Sequence, residues 1–217
     1  MQLYYIDIST NNYDFAEASP TSKVDFDYNQ IECCPECGRY VSGAYWKHPR
    51  EVVLTKHNAP DFLYCYETPI YLLSKRALDT IQSSGLSGIK KAEKIETVRF
   101  QRKSKIEMAV PEYYYIELER SRITINHSKS DIKYGEIADE IGPCHLCRAV
   151  PRTYDAIRSL SMNLEAYEGF DCFRNYELPG ETFLSQRFVD VCRKAGLTNF
   201  NPQKIEQFKL FEELFKD

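Results

Sequence analysis

Long apolar runs and a secretion signal are both missing from this sequence of 217 residues. No stretch approaches the roughly 18 consecutive apolar residues that a membrane-spanning helix requires. The first residues, Met1–Tyr5, lack the basic and apolar regions of a signal peptide and instead predict the start of a strand. These absences predict a cytoplasmic protein that has no membrane partner.

A strong excess of charge of either sign is also missing. The formal net charge is -4, and the hydrophobic content of 43% and charged content of 28% are ordinary for a globular chain. Because a dedicated nucleic-acid binder usually carries clustered positive charge, nucleic acid is not the expected partner. A chain of this length can bury a sizeable core, either as one domain or as two closely packed halves.

Recognisable catalytic motifs are absent as well. The sequence contains no P-loop and no glycine pattern of a dinucleotide-binding fold. Ser74 and Ser185 lie outside a Gly-x-Ser-x-Gly elbow and are better explained as helix N-caps than as nucleophiles. Four carboxylates recur at matching positions, as structural residues would: Asp61, Glu67, Asp171 and Glu177. The sequence therefore predicts a binding protein and not an enzyme.

What the sequence does contain is an internal duplication. Tyr4–Ile8 recurs roughly 110 residues later as Tyr114–Leu118, with Asp7 replaced by Glu117 and Ile8 by Leu118. Further matches follow in the same order: Cys34 and Cys37 with Cys144 and Cys147, Asp61 with Asp171, Leu73–Arg76 with Leu184–Arg187, and Gly85–Leu86 with Gly196–Leu197. A series of matches in one order at nearly one spacing is not expected by chance. We therefore predict two copies packed about a pseudo-twofold axis.

Each copy predicts the same order of elements. Tyrosine- and isoleucine-rich segments and their partners predict strands at Leu3–Ile8, Phe62–Tyr66, Tyr113–Leu118 and Cys172–Tyr176. A helix should follow the last strand of each copy, capped by a serine at its start and ended by a glycine. The predicted fold class is α+β, with two tandem pseudo-symmetric repeats (strand–knuckle–strand–helix) packed as one unit around a shared zinc knuckle pair.

The limits of the repeats follow from the pattern and from composition. Residues 1–98 are predicted as the first repeat, and residues 112–200 as the second. Residues 99–111 are predicted as a basic linker, within a lysine- and arginine-rich stretch that begins at Lys90. Residues 201–217 place apolar side chains at helical spacing, which predicts a C-terminal amphipathic helix docked on the body.

The eight cysteines divide into two classes by spacing. Disulfides are not expected in a reducing compartment, and two Cys-x-x-Cys pairs are present: Cys34 with Cys37, and Cys144 with Cys147. Two cysteines at this spacing on a tight turn can bind one ion. The four other cysteines have no such partner and are predicted as buried small hydrophobic residues: Cys33, Cys65, Cys172 and Cys192.

One structural zinc ion bound by all four paired cysteines is the preferred prediction, because matching positions in two copies can meet at their axis. Two alternatives stay open. Each half could close its own site with an added histidine, His48 or His57, or the pairs could be redox-active. A catalytic metal would need an open coordination position, which four cysteines do not leave.

The two knuckles, together with Gly169–Arg174, Leu178–Gly180 and Leu184–Phe188, resemble the double-CXXCG immunity proteins of bacterial polymorphic toxin systems. The resemblance covers most of the chain, from the first strand to about Phe200. It implies a cytosolic protein that binds and neutralises a cognate toxin, with the cysteine pairs as the implied zinc ligands.

A segment that interleaves acidic with aromatic residues predicts the toxin-binding surface. Its candidate contacts are Tyr13, Asp14, Asp25 and Asp27, since tyrosine contributes a large contact area at low entropic cost. Toxins that attack nucleic acid are often basic, so a mildly acidic chain suits a nuclease as its partner. The alternative function is a zinc-containing nucleic-acid-binding module that uses the basic stretch around Arg99–Lys105.

Overall fold

The computed structural model describes residues 1–6, 18–20, 26–42, 45–65, 70–101, 111–134, 144–146 and 154–210. Within these ranges the chain combines many short strands with two α-helices, so the predicted α+β class is confirmed. No helix in the described part of the chain has the length and apolar character needed to cross a membrane.

The described residues form 18 strands and two α-helices. In chain order they are β1 (Leu3–Ile6), β2 (Ala18–Pro20), β3 (Phe26–Asp27), β4 (Tyr45–Trp46), β5 (Glu51–Leu54), β6 (Phe62–Cys65), β7 (Ile70–Ser74), α1 (Lys75–Ser83), β8 (Ile89–Lys94), β9 (Thr97–Phe100), β10 (Tyr113–Leu118), β11 (Arg120–Ser121), β12 (Thr124–Ile125), β13 (Asp131–Tyr134), β14 (Tyr154–Ser159), β15 (Met162–Asn163), β16 (Cys172–Asn175), β17 (Phe183–Ser185), α2 (Gln186–Lys194) and β18 (Pro202–Lys204).

Two larger sheets are built from these strands. One has seven strands in the order β8-β10-β7-β6-β2-β5-β9, and the other has five strands in the order β11-β16-β17-β1-β18. Three two-stranded ladders, β3-β4, β12-β15 and β13-β14, complete the sheets that the described residues form.

The first strand of each predicted repeat pairs with the other repeat. β1 lies antiparallel to β17 with Leu3 opposite Ser185, and β10 lies antiparallel to β7 with Tyr113 opposite Ser74. Leu3 and Tyr113 are matching residues of the sequence duplication, and so are Ser185 and Ser74. The two crossed pairings therefore share one register.

Both helices begin at the predicted serine. Ser74 Oγ accepts a hydrogen bond from Ala77 N at 3.1 Å, and Ser185 Oγ accepts one from Phe188 N at 3.1 Å. A capping hydroxyl satisfies one of the amide groups that the first turn of a helix leaves without a partner. Both serine caps are confirmed.

One apolar core receives side chains from both helices. Leu78 and Ile81 of α1 are buried in the same cluster as Phe188 and Val189 of α2. Burying an aliphatic or aromatic side chain of this size contributes about 1.5–3 kcal/mol, so the contact between the helices binds the two halves of the chain together.

The prediction of a C-terminal helix is wrong for residues 201–210. Pro202–Lys204 form β18, which extends the sheet beside β1, and Ile205–Gln207 form a single 3-10 turn. The strand supplies backbone partners to the open edge of β1, while Ile205 and Phe208 still bury their side chains. Residues 211–217 lie outside the described part of the chain.

The start of the predicted basic linker is also part of a sheet. Thr97–Phe100 form β9, which pairs in parallel with β5 and places Arg99 opposite Val53. Residues 102–110, the remainder of that stretch up to β10, are not among the described residues.

Candidate metal centre and the contacts around it

The first cysteine pair lies on a tight hairpin. Cys34 N donates to Arg39 O at 2.7 Å, Gly38 N donates to Cys34 O at 2.9 Å, and Val41 N donates to Glu32 O at 2.9 Å. Gly38 has a φ of +72°, a left-handed conformation that a residue without Cβ adopts at little cost. This backbone places Cys34 inside the structure, with only 1% of its surface exposed.

The sulfur atoms of three cysteines meet beside this hairpin. The Sγ atoms of Cys34, Cys37 and Cys144 all lie within 4.8 Å of one another, and those of Cys34 and Cys144 are 3.7 Å apart. A tetrahedral zinc site with Zn–S bonds of about 2.3 Å has S···S edges of about 3.8 Å, whereas a disulfide requires about 2.05 Å. The donor set and the spacing therefore fit a zinc ion.

The fourth predicted ligand, Cys147, lies outside the described residues. Cys34 and Cys144 are 110 residues apart in the sequence, so the two knuckles do converge on one place. Redox chemistry within each Cys-x-x-Cys pair does not require this convergence, whereas a shared metal site does.

A glutamate between the two cysteines of the first knuckle also contacts the second. Glu36 Oε2 accepts a hydrogen bond from Leu146 N at 3.0 Å and lies 3.4 Å from Cys144 Sγ. Cys34 and Val41 form a small apolar cluster against Cys144 and Leu146. This bridging role was missed in the sequence because the residues between two ligands usually point away from the ion.

A second glutamate anchors the hairpin to the sheets. Glu32 Oε1 lies 2.6 Å from Lys90 Nζ and its Oε2 lies 2.8 Å from Arg120 Nε. Burial raises the pKa of Glu32, but the bonds to Lys90 and Arg120 outweigh it and hold the pKa below its usual value. The bonds that Lys90 makes to Glu117 and to Glu32 in turn raise the pKa of Lys90.

The histidines proposed for separate sites have other partners. His48 contacts the carboxylates of Glu93 and Glu96, and the ring of His57 lies 4.7 Å from that of Phe100. In the described part of the chain, the three knuckle cysteines are the one group of His, Cys, Asp or Glu side chains close enough to share a metal.

Three of the unpaired cysteines are buried small hydrophobic residues, as predicted. Cys65, Cys172 and Cys192 all lie in apolar clusters, and burial raises the pKa of Cys172 and brings that of Cys192 to about 12. The prediction is wrong for Cys33, which is exposed. Its strand position alternates with that of Cys34, so the hairpin that buries Cys34 turns Cys33 outward.

The recurring aspartates are structural. Asp61 accepts hydrogen bonds from Ser74 Oγ at 2.6 Å, from Arg76, and from Thr198 N at 2.8 Å. Burial raises the pKa of Asp61, but the bonds from Arg76, Ser74 and Thr198 outweigh it and lower the pKa to about 2. Asp61 therefore connects the start of α1 to the segment that follows α2.

Asp171 makes the equivalent contacts with the two helices exchanged, connecting the start of α2 to the segment that follows α1. It accepts from Ser185 Oγ at 2.8 Å, from Arg187 Nη1 at 3.0 Å, and from Ser87 N at 3.0 Å. Arg187 also donates to Ser84 O at 2.8 Å, beyond the C-terminus of α1. We call these two groups, Asp61–Ser74–Arg76–Thr198 and Asp171–Ser185–Arg187–Ser87, the crossed clamps.

The basic stretch is neutralised where the structure describes it. Its cationic side chains form ion pairs with carboxylates: Lys90 with Glu32 and Glu117, Lys91 with Glu93, Lys94 with Glu112, and Arg99 with Glu51. Cations held by carboxylates contribute less to phosphate binding. Of the stretch Arg99–Lys105, on which the nucleic-acid alternative depends, Arg99 is paired in this way and residues 102–105 lie outside the described part of the chain.

Of the predicted partner contacts, Asp27 alone is described. Its carboxylate accepts from Asn29 N at 3.0 Å and Gln30 Nε2 at 2.9 Å, which caps the 3-10 turn at Tyr28–Gln30. The hydrogen bond from Gln30 lowers the pKa of Asp27. Tyr13, Asp14 and Asp25 lie outside the described residues.

The chain is thus a strand-rich α+β protein in which cysteines from two sequence-distant knuckles form a candidate metal site. The chain belongs to the Immunity protein family (Imm11), whose family model matches residues 44–207, well over half of its length. The match confirms the predicted membership of an immunity protein family, but it begins after the first knuckle and does not itself show the double-CXXCG motif. A comparison with curated proteins found no match.

Proposed function

We propose that this chain is a cytoplasmic immunity protein that binds and neutralises a cognate toxin of a bacterial polymorphic toxin system. We further propose that a structural zinc ion, held by Cys34, Cys37, Cys144 and Cys147, joins its two knuckles. The observation that carries the proposal is the 3.7 Å separation of Cys34 Sγ and Cys144 Sγ in a chain of an immunity protein family.

The role of the metal in this proposal is mechanical. A bound zinc ion would fix the relative positions of four thiolates and leave no open position for chemistry. Cys34 lies in the interior and Cys144 is half-buried, so the bound ion would connect the hairpin to the second knuckle on the buried side of the hairpin. Cys147 is assigned as the fourth ligand because it repeats the position of Cys37 in the duplication.

The duplication gives this site its symmetry. We infer two pseudo-symmetric repeats, supported by the shared register of the β1–β17 and β10–β7 pairings and by the crossed clamps. In such an arrangement, each contact made by one repeat has an equivalent made by the other. Two Cys-x-x-Cys pairs would therefore supply equal halves of one metal site.

The partner in this proposal is a protein with a basic surface. The chain is mildly acidic, and complementary charge speeds the encounter of two proteins. A nuclease toxin has this property because it binds a polyanion. Tyr13, Asp14, Asp25 and Asp27 remain the predicted contacts from the acidic and aromatic segment.

Metal content is the first test. Protein purified without chelator under reducing conditions should contain one zinc ion per chain. Cys37→Ser should lose the ion, whereas Cys33→Ser should keep it, and the two cysteines are matched because both are exposed. No zinc, or two zinc ions per chain, would overturn the shared site.

Protection from a toxin is the second test. A candidate toxin domain from the source genome should arrest bacterial growth when it is expressed alone, and co-expression of this chain should restore growth. Purified chain should bind an inactivated form of the same domain. Neither rescue nor binding would overturn the immunity function, whatever the metal content.

A further inference from the structure

Two tyrosines stand out from the rest of the chain by their exposure. In the described residues, three large hydrophobic side chains are classed as exposed, and two of them are Tyr28, at 70%, and Tyr40, at 73%. Other tyrosines are buried in the sheets and the core: Tyr4, Tyr5, Tyr71 and Tyr113. Because burying an aromatic ring is favourable, two rings left in water in one short segment require an explanation.

The backbone of the cysteine hairpin accounts for the direction of Tyr40. Cys33 and Tyr40 form an antiparallel bridge, while their neighbours Cys34 and Val41 are 1% and 2% exposed. Successive side chains of extended backbone point to opposite faces. The hairpin thus has an inner face that contributes to the cysteine cluster and an outer face that carries Tyr40.

Tyr28 occupies a short turn that leads into the same hairpin. Asp27 caps this turn, and Ile31 N donates to Tyr28 O. Glu32, one residue further, is held by Lys90 and Arg120. Both tyrosines therefore project from backbone that is already fixed, which reduces the entropy lost when a partner binds them.

The segment also lies outside the residues that the family model matches. The family model begins at residue 44, so Tyr28 and Tyr40 both precede it. The family match therefore does not account for these two exposed side chains.

We propose that the outer face of the first cysteine knuckle, centred on Tyr28 and Tyr40, is the surface that docks the cognate toxin. This inference rests on the proposed immunity function and names the site that carries it. Aromatic anchors on a rigid hairpin suit a concave protein surface, and the partly exposed carboxylate of Asp27, next to Tyr28 in the chain, suits a basic rim around it. The partner is thus a protein with a basic cleft.

Affinity measurements on two alanine variants test the proposal. Tyr28→Ala and Tyr40→Ala should each weaken binding of the inactivated toxin domain identified in the growth assay by roughly 30-fold, the effect of removing a hot-spot residue. Tyr40→Phe should retain most of the affinity, since the ring supplies most of the contact area. Both alanine variants should melt at the wild-type temperature, because neither side chain is buried.

A control and two contrary outcomes make the test decisive. Lys194→Ala, at an exposed position at the end of α2, should leave the affinity within about twofold. Wild-type affinity in both tyrosine variants would overturn the docking surface and leave the immunity function standing. If the variants change self-association in sedimentation but not toxin binding, the face joins two copies of this chain instead. If even the wild-type chain fails to bind, both proposals fall.

Discussion

Ser87 and Asp171 bind each other in both directions, although they are 84 residues apart in the sequence. Ser87 N donates to Asp171 Oδ2 at 3.0 Å, and Asp171 N donates to Ser87 O at 3.1 Å. Thr198 and Asp61 repeat the relationship, with Thr198 N donating to Asp61 Oδ2 at 2.8 Å and Asp61 N donating to Thr198 Oγ1 at 2.9 Å. Each helix is thereby fixed to the segment that follows the other.

Removing the charge from one clamp should destabilise the whole molecule. Asp61→Asn and Asp171→Asn each keep the shape of the side chain but lose charge-assisted hydrogen bonds, which contribute about 1.5–3 kcal/mol. We expect a loss of about 2 kcal/mol in the free energy of unfolding, measured in urea. Asp79→Asn is the matched control, because its i,i+4 ion pair with Lys75 is exposed to solvent, so its loss should change the free energy of unfolding far less.

Acid should remove part of this stability. The pKa of Asp61 in the folded protein is about 2, below its ordinary value of 3.8, so the folded state prefers the charged carboxylate. The resulting contribution, about 2 kcal/mol at 1.36 kcal/mol per pKa unit, is present above pH 4 and lost as the pH falls towards 2. The difference between wild type and Asp61→Asn in unfolding free energy should shrink over this range. A difference that stays constant down to pH 2 would contradict the assignment.

The cysteine cluster should stabilise both halves at once. Cys34→Ser or Cys144→Ser should lower the stability by at least about 3 kcal/mol, because metal-binding energy is also folding energy. At roughly 2–4 °C per kcal/mol for a chain of this size, the single melting transition should fall by about 6–12 °C. Cys33→Ser should change it little, since Cys33 is exposed and outside the cluster. Two separate transitions, one at the wild-type temperature, would show that the halves are not joined there.

Gly88 is the point of closest approach between the segment after α1 and strand β16. A Cβ at Gly88 would lie 1.7 Å from the carbonyl oxygen of Cys172. Because the obstruction is backbone and the φ of +110° is also unfavourable for other residues, Gly88→Ala should cost about 3 kcal/mol or more.

Gly169→Ala separates the two causes, since Gly169 has a φ of +88° but open space around its Cβ position. Gly169→Ala should lower the free energy of unfolding, measured by heat or urea, by about 1–2 kcal/mol, the cost of the backbone conformation alone. Equal losses in the two variants would mean that the chain relaxes around Gly88 and that the close approach is not required.

Local features of the fold were predictable from the sequence, because local chemistry determines them. Ser74 and Ser185 precede apolar residues at helical spacing, and a hydroxyl there has a defined partner in the first turn. The meeting of Cys34 with Cys144 was predictable for another reason, since the duplication equates the two knuckles. One sequence was enough for both conclusions.

The partners of the strands were not predictable in the same way. The residues of β1 indicate a half-buried strand, but nothing in that pattern specifies β17 and β18 as its neighbours. The prediction of a C-terminal helix failed for a related reason. Ile205 and Phe208 fit helical spacing, yet the open edge of β1 takes Pro202–Lys204 as a strand and leaves the next residues a single turn.

The crossed pairing of strands also delays the folding of β1 during translation. β1 lies at residues 3–6, but its two sheet neighbours, β17 and β18, lie far downstream at residues 183–185 and 202–204. At 5–20 residues per second, β1 must wait roughly 10–40 s for the first of them to be translated. β1 therefore cannot enter its five-stranded sheet until the second of the two repeated segments has also been translated.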